Sequence, residues 1–311
     1  MVKIQKVLSV ATLLSVALAL GISKVTEALE GSITTQYTSD LTRFCNRDVF
    51  VKQIHSHNDY WRDIPLYTAL SYGVQSVEAD VWHFEGDDTI YVGHHEAALN
   101  AERTFEATYI NPLVQILTAA NPNNTFTASE TKPNGVFDTD SGATLYLWVD
   151  LKTDGDTLIQ YVIKALEPLR EKGWLTTYTE GEGIKWGPIT VVGTGNTPYD
   201  FVSSQKSRDY FFDGPLKTLN SSYPKELNPI ASASLKKLIG TEDININGLN
   251  DQQFDLLKTY IDEAHSQGIK TRLWDVPWWP VKLRNNLWRQ ILDAGSDFLN
   301  ADDLEFASKF E

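Results

Sequence analysis

A chain of 311 residues with 42% hydrophobic side chains and nine tryptophans can bury one large core or two smaller ones. Its 41 acidic residues against 27 basic ones give a formal charge of −14, which argues against nucleic acid and anionic membranes as partners, because both are held chiefly by Lys and Arg. Cys45 is the only cysteine, which excludes a disulfide within the chain.

In chain order, Lys3 and Lys6 precede an uncharged run from Val7 to Ile22. That run falls short of the ~20 residues a helix needs to cross a bilayer. It reads as a secretory signal peptide within residues 1–28, in preference to an uncleaved anchor, with a leader over 29–45 and one domain over 46–311. The sequons Asn123-Asn124-Thr125 and Asn220-Ser221-Ser222 fit the same export route. The expected location is outside the cell or in an endomembrane lumen.

Short apolar or β-branched runs bounded by turn residues predict strands at Val49–Ile54, Ser76–Trp82, Leu145–Leu151, Ile189–Gly193, Tyr210–Asp213, Pro229–Ser232, Thr271–Val276 and Asp297–Asn300. Amphipathic helices are predicted between them at Pro65–Tyr72, Pro112–Ala119, Asp156–Lys172, Asp251–Gln267 and Val281–Asp293. In the fourth of these, Phe254, Leu257, Ile261 and Ala264 recur at spacings of three and four, so one face lies on a sheet. The polar stretch Asn121–Gly142 reads as a surface insertion. Eight strands alternating with helices match a closed α/β (β/α)8 barrel. An open doubly wound sheet fits less well, because no glycine-rich phosphate loop follows the first strand.

Five of the six histidines fall between His55 and His95, and in such a barrel the chemistry gathers where strands end. Glu78, Asp80 and Trp82 share one face of their strand because side chains two apart point the same way, as do Trp148, Asp150 and Lys152 on another. Glu78, Asp80 and Asp150 together make an oxygen site for a hard cation, Mg²⁺ or Ca²⁺. Zinc would draw on the histidines instead. With an ion polarising a phosphoryl group, histidines serve as general acid and base near neutral pH. His94 and His95 point to opposite faces, so only one faces the centre. His83 and His265 need no functional account.

The segments Ile54-His55-Ser56-His57-Asn58-Asp59-Tyr60, Ser76-Val77-Glu78-Ala79-Asp80-Val81, Gly93-His94 and Val149-Asp150-Leu151-Lys152-Thr153 resemble the glycerophosphodiester phosphodiesterase and phospholipase C-like barrels. The Asp-Leu-Lys-Thr segment and the histidine spacing are similar to the sphingomyelinase D branch. The overall run looks most like the fungal altered inheritance of mitochondria protein 6 family. That resemblance, over roughly Val49 to Phe306, implies that Glu78, Asp80 and Asp150 hold the metal. It also implies that His55 and His94 form the catalytic pair with His57 beside them, that Lys152 binds a phosphate oxygen, and that Trp274 lines the substrate pocket. The first motif of those barrels is His-Arg-Gly and the second His-Asp. Here they read His-Ser-His-Asn and His-His-Glu, so a phosphate-clamping Arg is missing, and His57 or Asn58 is expected to replace it.

The implied activity is a metal-dependent phosphoric diester hydrolase acting on a glycerophosphodiester or (lyso)phospholipid head group. Membrane contact would come only through a lipid substrate. The attacking hydroxyl belongs either to water or to the substrate itself, and the latter would give a cyclic phosphate. The altered motifs also support an alternative, a catalytically inactive barrel that binds a phospholipid head group or a protein partner. A glycosidase using Glu78 and Asp80 fits poorly, because Cα atoms two apart on one strand lie ~6.6 Å apart on the same side of any substrate.

Overall fold

The strand-forming runs pair side by side, most of them in parallel. In chain order they are β1 (Lys52–Ser56), β2 (Val74–Trp82), β3 (Tyr91–Val92), β4 (Leu145–Leu151), β5 (Thr177–Thr179), β6 (Gly183–Lys185), β7 (Ile189–Gly195), β8 (Ser207–Arg208), β9 (Phe211–Phe212), β10 (Gly214–Pro215), β11 (Ile230–Ser234), β12 (Lys270–Trp274) and β13 (Phe298–Ala301). The computed structural model describes residues 47–125, 132–240 and 244–310, all within the unit Cys45–Glu311. The expected signal peptide and the whole leader lie outside the described residues.

The main sheet runs β10-β11-β12-β13-β1-β2-β4-β7-β9, with every pairing along it parallel. β9 pairs with β7 and β10 with β11, and only Asp213 separates them. The run Phe211–Pro215 is therefore one stave bonded on both sides, and it closes eight staves into a (β/α)8 barrel. β3 turns back antiparallel on β2, while β6-β5-β8 form a small separate sheet.

The core has the layers this fold requires. Tyr146, Trp148, Val192, Ile230 and Phe298 fill the barrel interior. Outside, helices bury apolar faces on the strands. The helix Asp251–Ser266 starts at a capping box between Asn250 and Gln253 and buries Leu257, Ile261 and Ala264. The helix Val281–Asp293 has the bounds read from its periodicity. The one predicted over Asp156–Lys172 breaks at Leu166 into Gly155–Ala165 and Glu167–Glu171, because Pro168 has no N–H for the turn before it. The helices Tyr199–Ser204 and Leu235–Ile239 went unpredicted, being too short to show a period.

The stretch Asn121–Gly142 is not wholly a surface insertion. Val136 and Phe137 are buried in the main cluster, and Asn134 trades hydrogen bonds with Asn121 to hold them there. Among the described residues, no helix is long and apolar enough to cross a membrane.

Candidate active site

Strand alternation places Glu78 and Asp80 inward from β2, and the β2–β4 register sets Asp80 opposite Asp150. Oxygens of these three carboxylates lie within 4.8 Å of one another, and they are the only such group among the described residues. Asp150 can take its position because Gly195 faces it. A Cβ on Gly195, whose φ is +63°, would meet Asp150 Oδ1 at 1.9 Å.

The β1 end braces this cluster. Asp59 accepts hydrogen bonds from Ser56 Oγ at 2.7 Å, the Leu66 amide at 2.7 Å and Tyr109 Oη at 3.1 Å, and so pins the loop down. The loop then passes through Asn58 in the left-handed region (φ 48°, ψ 50°), which Asn tolerates better than most residues. That turn aims the Asn58 amide at Glu78 Oε2, 2.9 Å away. Tyr60 places its hydroxyl between Asn58 Oδ1 and Asp80 Oδ2.

Asp80 is the junction of the network. Its Oδ2 receives Lys152 Nζ at 2.9 Å, Tyr60 Oη at 2.8 Å and His94 Nδ1 at 3.1 Å. Its Oδ1 is buried with no hydrogen-bond partner. An orphaned carboxylate oxygen costs free energy unless something fills its lone pairs. A hard cation shared with Glu78 and Asp150 would do so, and the donor set of three carboxylates fits such an ion. Burial and the neighbouring Glu78 charge push the Asp80 carboxyl up to about 6, with Lys152 opposing them. Burial would raise Glu78 as well, but the Arg272 guanidinium and then His57 hold it well below the usual carboxylate range. Lys152 also touches Asp150 Oδ2 at 2.5 Å. Burial works against its charge, yet Asp150 and Asp80 raise it above an ordinary lysine.

These groups line a cavity of about 520 Å³ at the barrel mouth, with His57, Asn58 and His94 on one side and Asp213, Arg272 and Trp274 on the other. His57 gives its Nδ1 to Asp302 at 2.9 Å, with Nε2 4.0 Å from Glu78. Burial alone would lower its pKa, but the bond to Asp302 and the charge of Glu78 outweigh that and raise it. His94 and His95 follow the short β3 in a bend, not on opposite strand faces as expected: their rings meet edge-on at 4.3 Å, with His95 exposed and outside the cavity lining, and His83 stacks on Tyr161 at 3.8 Å.

His55 lies elsewhere. It is fully buried and outside the cavity lining, with Ser76 Oγ at 2.7 Å from Nδ1 and Arg272 Nη1 at 2.6 Å from Nε2. A guanidinium can only donate, so Nε2 accepts and the proton sits on Nδ1. Burial, then the charge of Arg272, drive the ring's pKa down to about 3. The sequence reading paired His55 with His94 as the catalytic histidines. The structure sets His55 one layer beneath the cavity, and His57 and His94 are the two that face it.

An AIM6-like phosphodiesterase domain matches residues 43–213. The altered inheritance of mitochondria protein 6 homolog of Arthroderma benhamiae is 45% identical over 282 residues, covering 88% of this chain and 87% of that protein. The chain belongs to the altered inheritance of mitochondria protein 6 family. The member from Lachancea thermotolerans is 37% identical, covering 89% of this chain and 68% of its own. A glycerophosphodiester phosphodiesterase from Parabacteroides distasonis superposes with a TM-score of 0.49 at 12% identity, over 84% of this chain and 97% of that one.

Within this family's barrel, the structure brings Glu78, Asp80, Asp150, His57, His94, Asn58, Lys152 and Trp274 to one cavity. Arg272 is the residue the sequence reading missed. It stacks on the Trp148 ring at 4.0 Å, donates to His55 and Asn300, and lies 3.7 Å from Glu78 Oε1. Its signal was present in the chain: an arginine inside the predicted strand Thr271–Val276, two residues before Trp274 and so on the same face. Asp213 was assigned to a strand end and given no role.

Proposed function

We propose that this barrel is a metal-dependent phosphoric diester hydrolase working by histidine acid–base catalysis. The observation that carries the reading is the convergence of Glu78, Asp80 and Asp150 within 4.8 Å, in the same cavity as two histidines and a lysine. A divalent cation, with Mg²⁺ preferred for three carboxylate oxygens, would be held by these residues and would supply positive charge to a phosphoryl oxygen. Lys152 donates to a second phosphate oxygen, and Tyr60, whose pKa is raised by burial and by Asp80, stays protonated as a fixed donor.

His94 has Nδ1 oriented by Asp80, which leaves Nε2 to take the proton from the attacking hydroxyl as its oxygen bonds to phosphorus. His57, kept protonated by Asp302, gives its proton to the departing alkoxide as the P–O bond breaks. A glycerophosphodiester or a (lyso)phospholipid head group is the substrate class, supported by the family resemblance. Exposure of both sequon residues, Asn123 and Asn220, supports passage through the secretory route.

Turnover of bis(p-nitrophenyl) phosphate and lysophosphatidylcholine with Mg²⁺, and again with chelator, tests the reading. Activity that chelator removes supports it, and no turnover on either substrate refutes it. Phosphorus NMR of the product separates water attack, giving a monoester, from attack by a substrate hydroxyl, giving a cyclic phosphate. A second reading, a barrel that binds a head group without cleaving it, draws on Lys152. Its ammonium already touches both Asp80 and Asp150 and partly neutralises them.

The His57–Asp302 contact has a pH signature. Because the folded pKa is raised, its stabilisation is fully present below about 6.5, the ordinary histidine value. It is lost as pH rises through the raised value. The alkaline limb of kcat follows the same proton, so Asp302→Asn is expected to move that limb to lower pH. A limb unchanged in Asp302→Asn would show that His57 is not the acid.

A further inference from the structure

Across the barrel from the β1 end, the stave Phe211–Pro215 carries a polar cluster that the chemistry above does not use. Asp213 Oδ2 accepts from Ser232 Oγ at 2.6 Å and from Thr194 Oγ1 at 3.0 Å. Asp213 Oδ1 is buried without a hydrogen-bond partner, and all three residues line the active-site cavity. A hydroxyl has one hydrogen, and Ser232 and Thr194 both give theirs to the carboxylate. Their oxygens therefore meet the cavity as acceptors, so this wall presents acceptors where the Lys152–His57 side presents donors.

Asp213 is also already faced by a cation. Burial raises its pKa to about 6, and Arg272 is the first influence opposing that. A second positive charge would sit in the field of Arg272, and a quaternary ammonium has no hydrogen to donate. Neutral hydroxyl donors satisfy the wall without either conflict.

We infer that Asp213, Ser232 and Thr194 form a polyol subsite that takes the hydroxyls of the substrate's alcohol moiety, while the carboxylate cluster, Lys152 and the two histidines take the phosphate. This rests on the phosphodiester reading and adds its substrate preference: hydroxyl-bearing alcohols over choline-like ones. Asp213 acts as a positioning residue that fixes the two hydroxyls as acceptors.

The test is calorimetric binding of three phosphate monoesters to the purified full chain in Mg²⁺: glycerol 3-phosphate, propyl phosphate of equal chain length without hydroxyls, and phosphocholine. Glycerol 3-phosphate is expected to bind about tenfold tighter than propyl phosphate, the worth of one or two hydrogen bonds to hydroxyl acceptors. Asp213→Ala should cut that preference below about threefold, and Ser232→Ala should reduce it by about threefold. If Asp213→Ala does not fold, Ser232→Ala decides alone. Equal or absent binding of glycerol 3-phosphate and propyl phosphate overturns the inference. So does a preference intact in folded variants, or phosphocholine binding tightest. None of these readouts needs turnover, so a failure of the hydrolase reading shows separately, as an inert enzyme that still discriminates.

Discussion

His94→Ala and His57→Ala are each expected to lower kcat by about 10²–10⁴, the range for losing a positioned acid or base, with melting temperature little changed. His55→Gln is expected to do the opposite, lowering stability while the folded fraction keeps most of its kcat. The difference follows from depth. His57 and His94 are partly exposed at the cavity, whereas His55 is enclosed between Ser76 and Arg272 with its ring edge-on to Trp148 at 5.4 Å. An imidazole with a pKa near 3 and its lone pair committed to a guanidinium has no proton to give and none to take at neutral pH. Glutamine retains an acceptor for Arg272, so its cost is one of fit. Stopped-flow kinetics beside thermal unfolding separates the two classes. A His55→Gln enzyme as slow as His94→Ala, yet fully folded, would return His55 to the chemistry.

Arg272→Met should be the most destabilising single change at the site, by about 3–5 kcal/mol. That is the scale of breaking a buried charge pair and leaving its partner behind. Arg272 is nearly enclosed and meets the Trp148 face, His55 Nε2, Asn300 and the Glu78 carboxylate at once. Without it, Glu78 loses the cation that helps keep it ionised and Asp213 loses its opposing charge. Denaturant unfolding of Arg272→Met against wild type measures the loss. A change below about 1 kcal/mol, the scale of an exposed ion pair, would show that the guanidinium is not buried among these partners.

Much of this was readable in the chain. Period-two alternation puts Glu78 with Asp80 and Trp148 with Asp150 on single faces, and the strand-helix alternation gives the barrel. Register then follows from the fold, and Asp80 meets Asp150 as a consequence. What alternation cannot give is depth. His55 and His57 are two apart and read as equivalent, yet each residue advances a strand by about 3.3 Å, so His55 lies a layer lower, within the packed barrel. Arg272 lay outside every recognised motif, and its partners His55, Trp148 and Glu78 come from three other strands. It adds from β12 a cation to the cavity lining, beside the expected His57 and Asn58. The closing stave was legible only as Tyr210–Asp213, because the two-residue ladder at Gly214–Pro215 beyond it leaves no periodic trace.

The whole account depends on three carboxylates that share one cation. Titrating Mg²⁺ into the purified chain by calorimetry, for wild type, Glu78→Gln and Asp80→Asn, tests this most directly. The account predicts one equivalent bound by wild type and binding weakened at least about tenfold, or lost, in each variant, as expected when a charged ligand is removed from a carboxylate site. A wild-type chain that takes up no divalent cation, or variants that bind it unchanged, would contradict it.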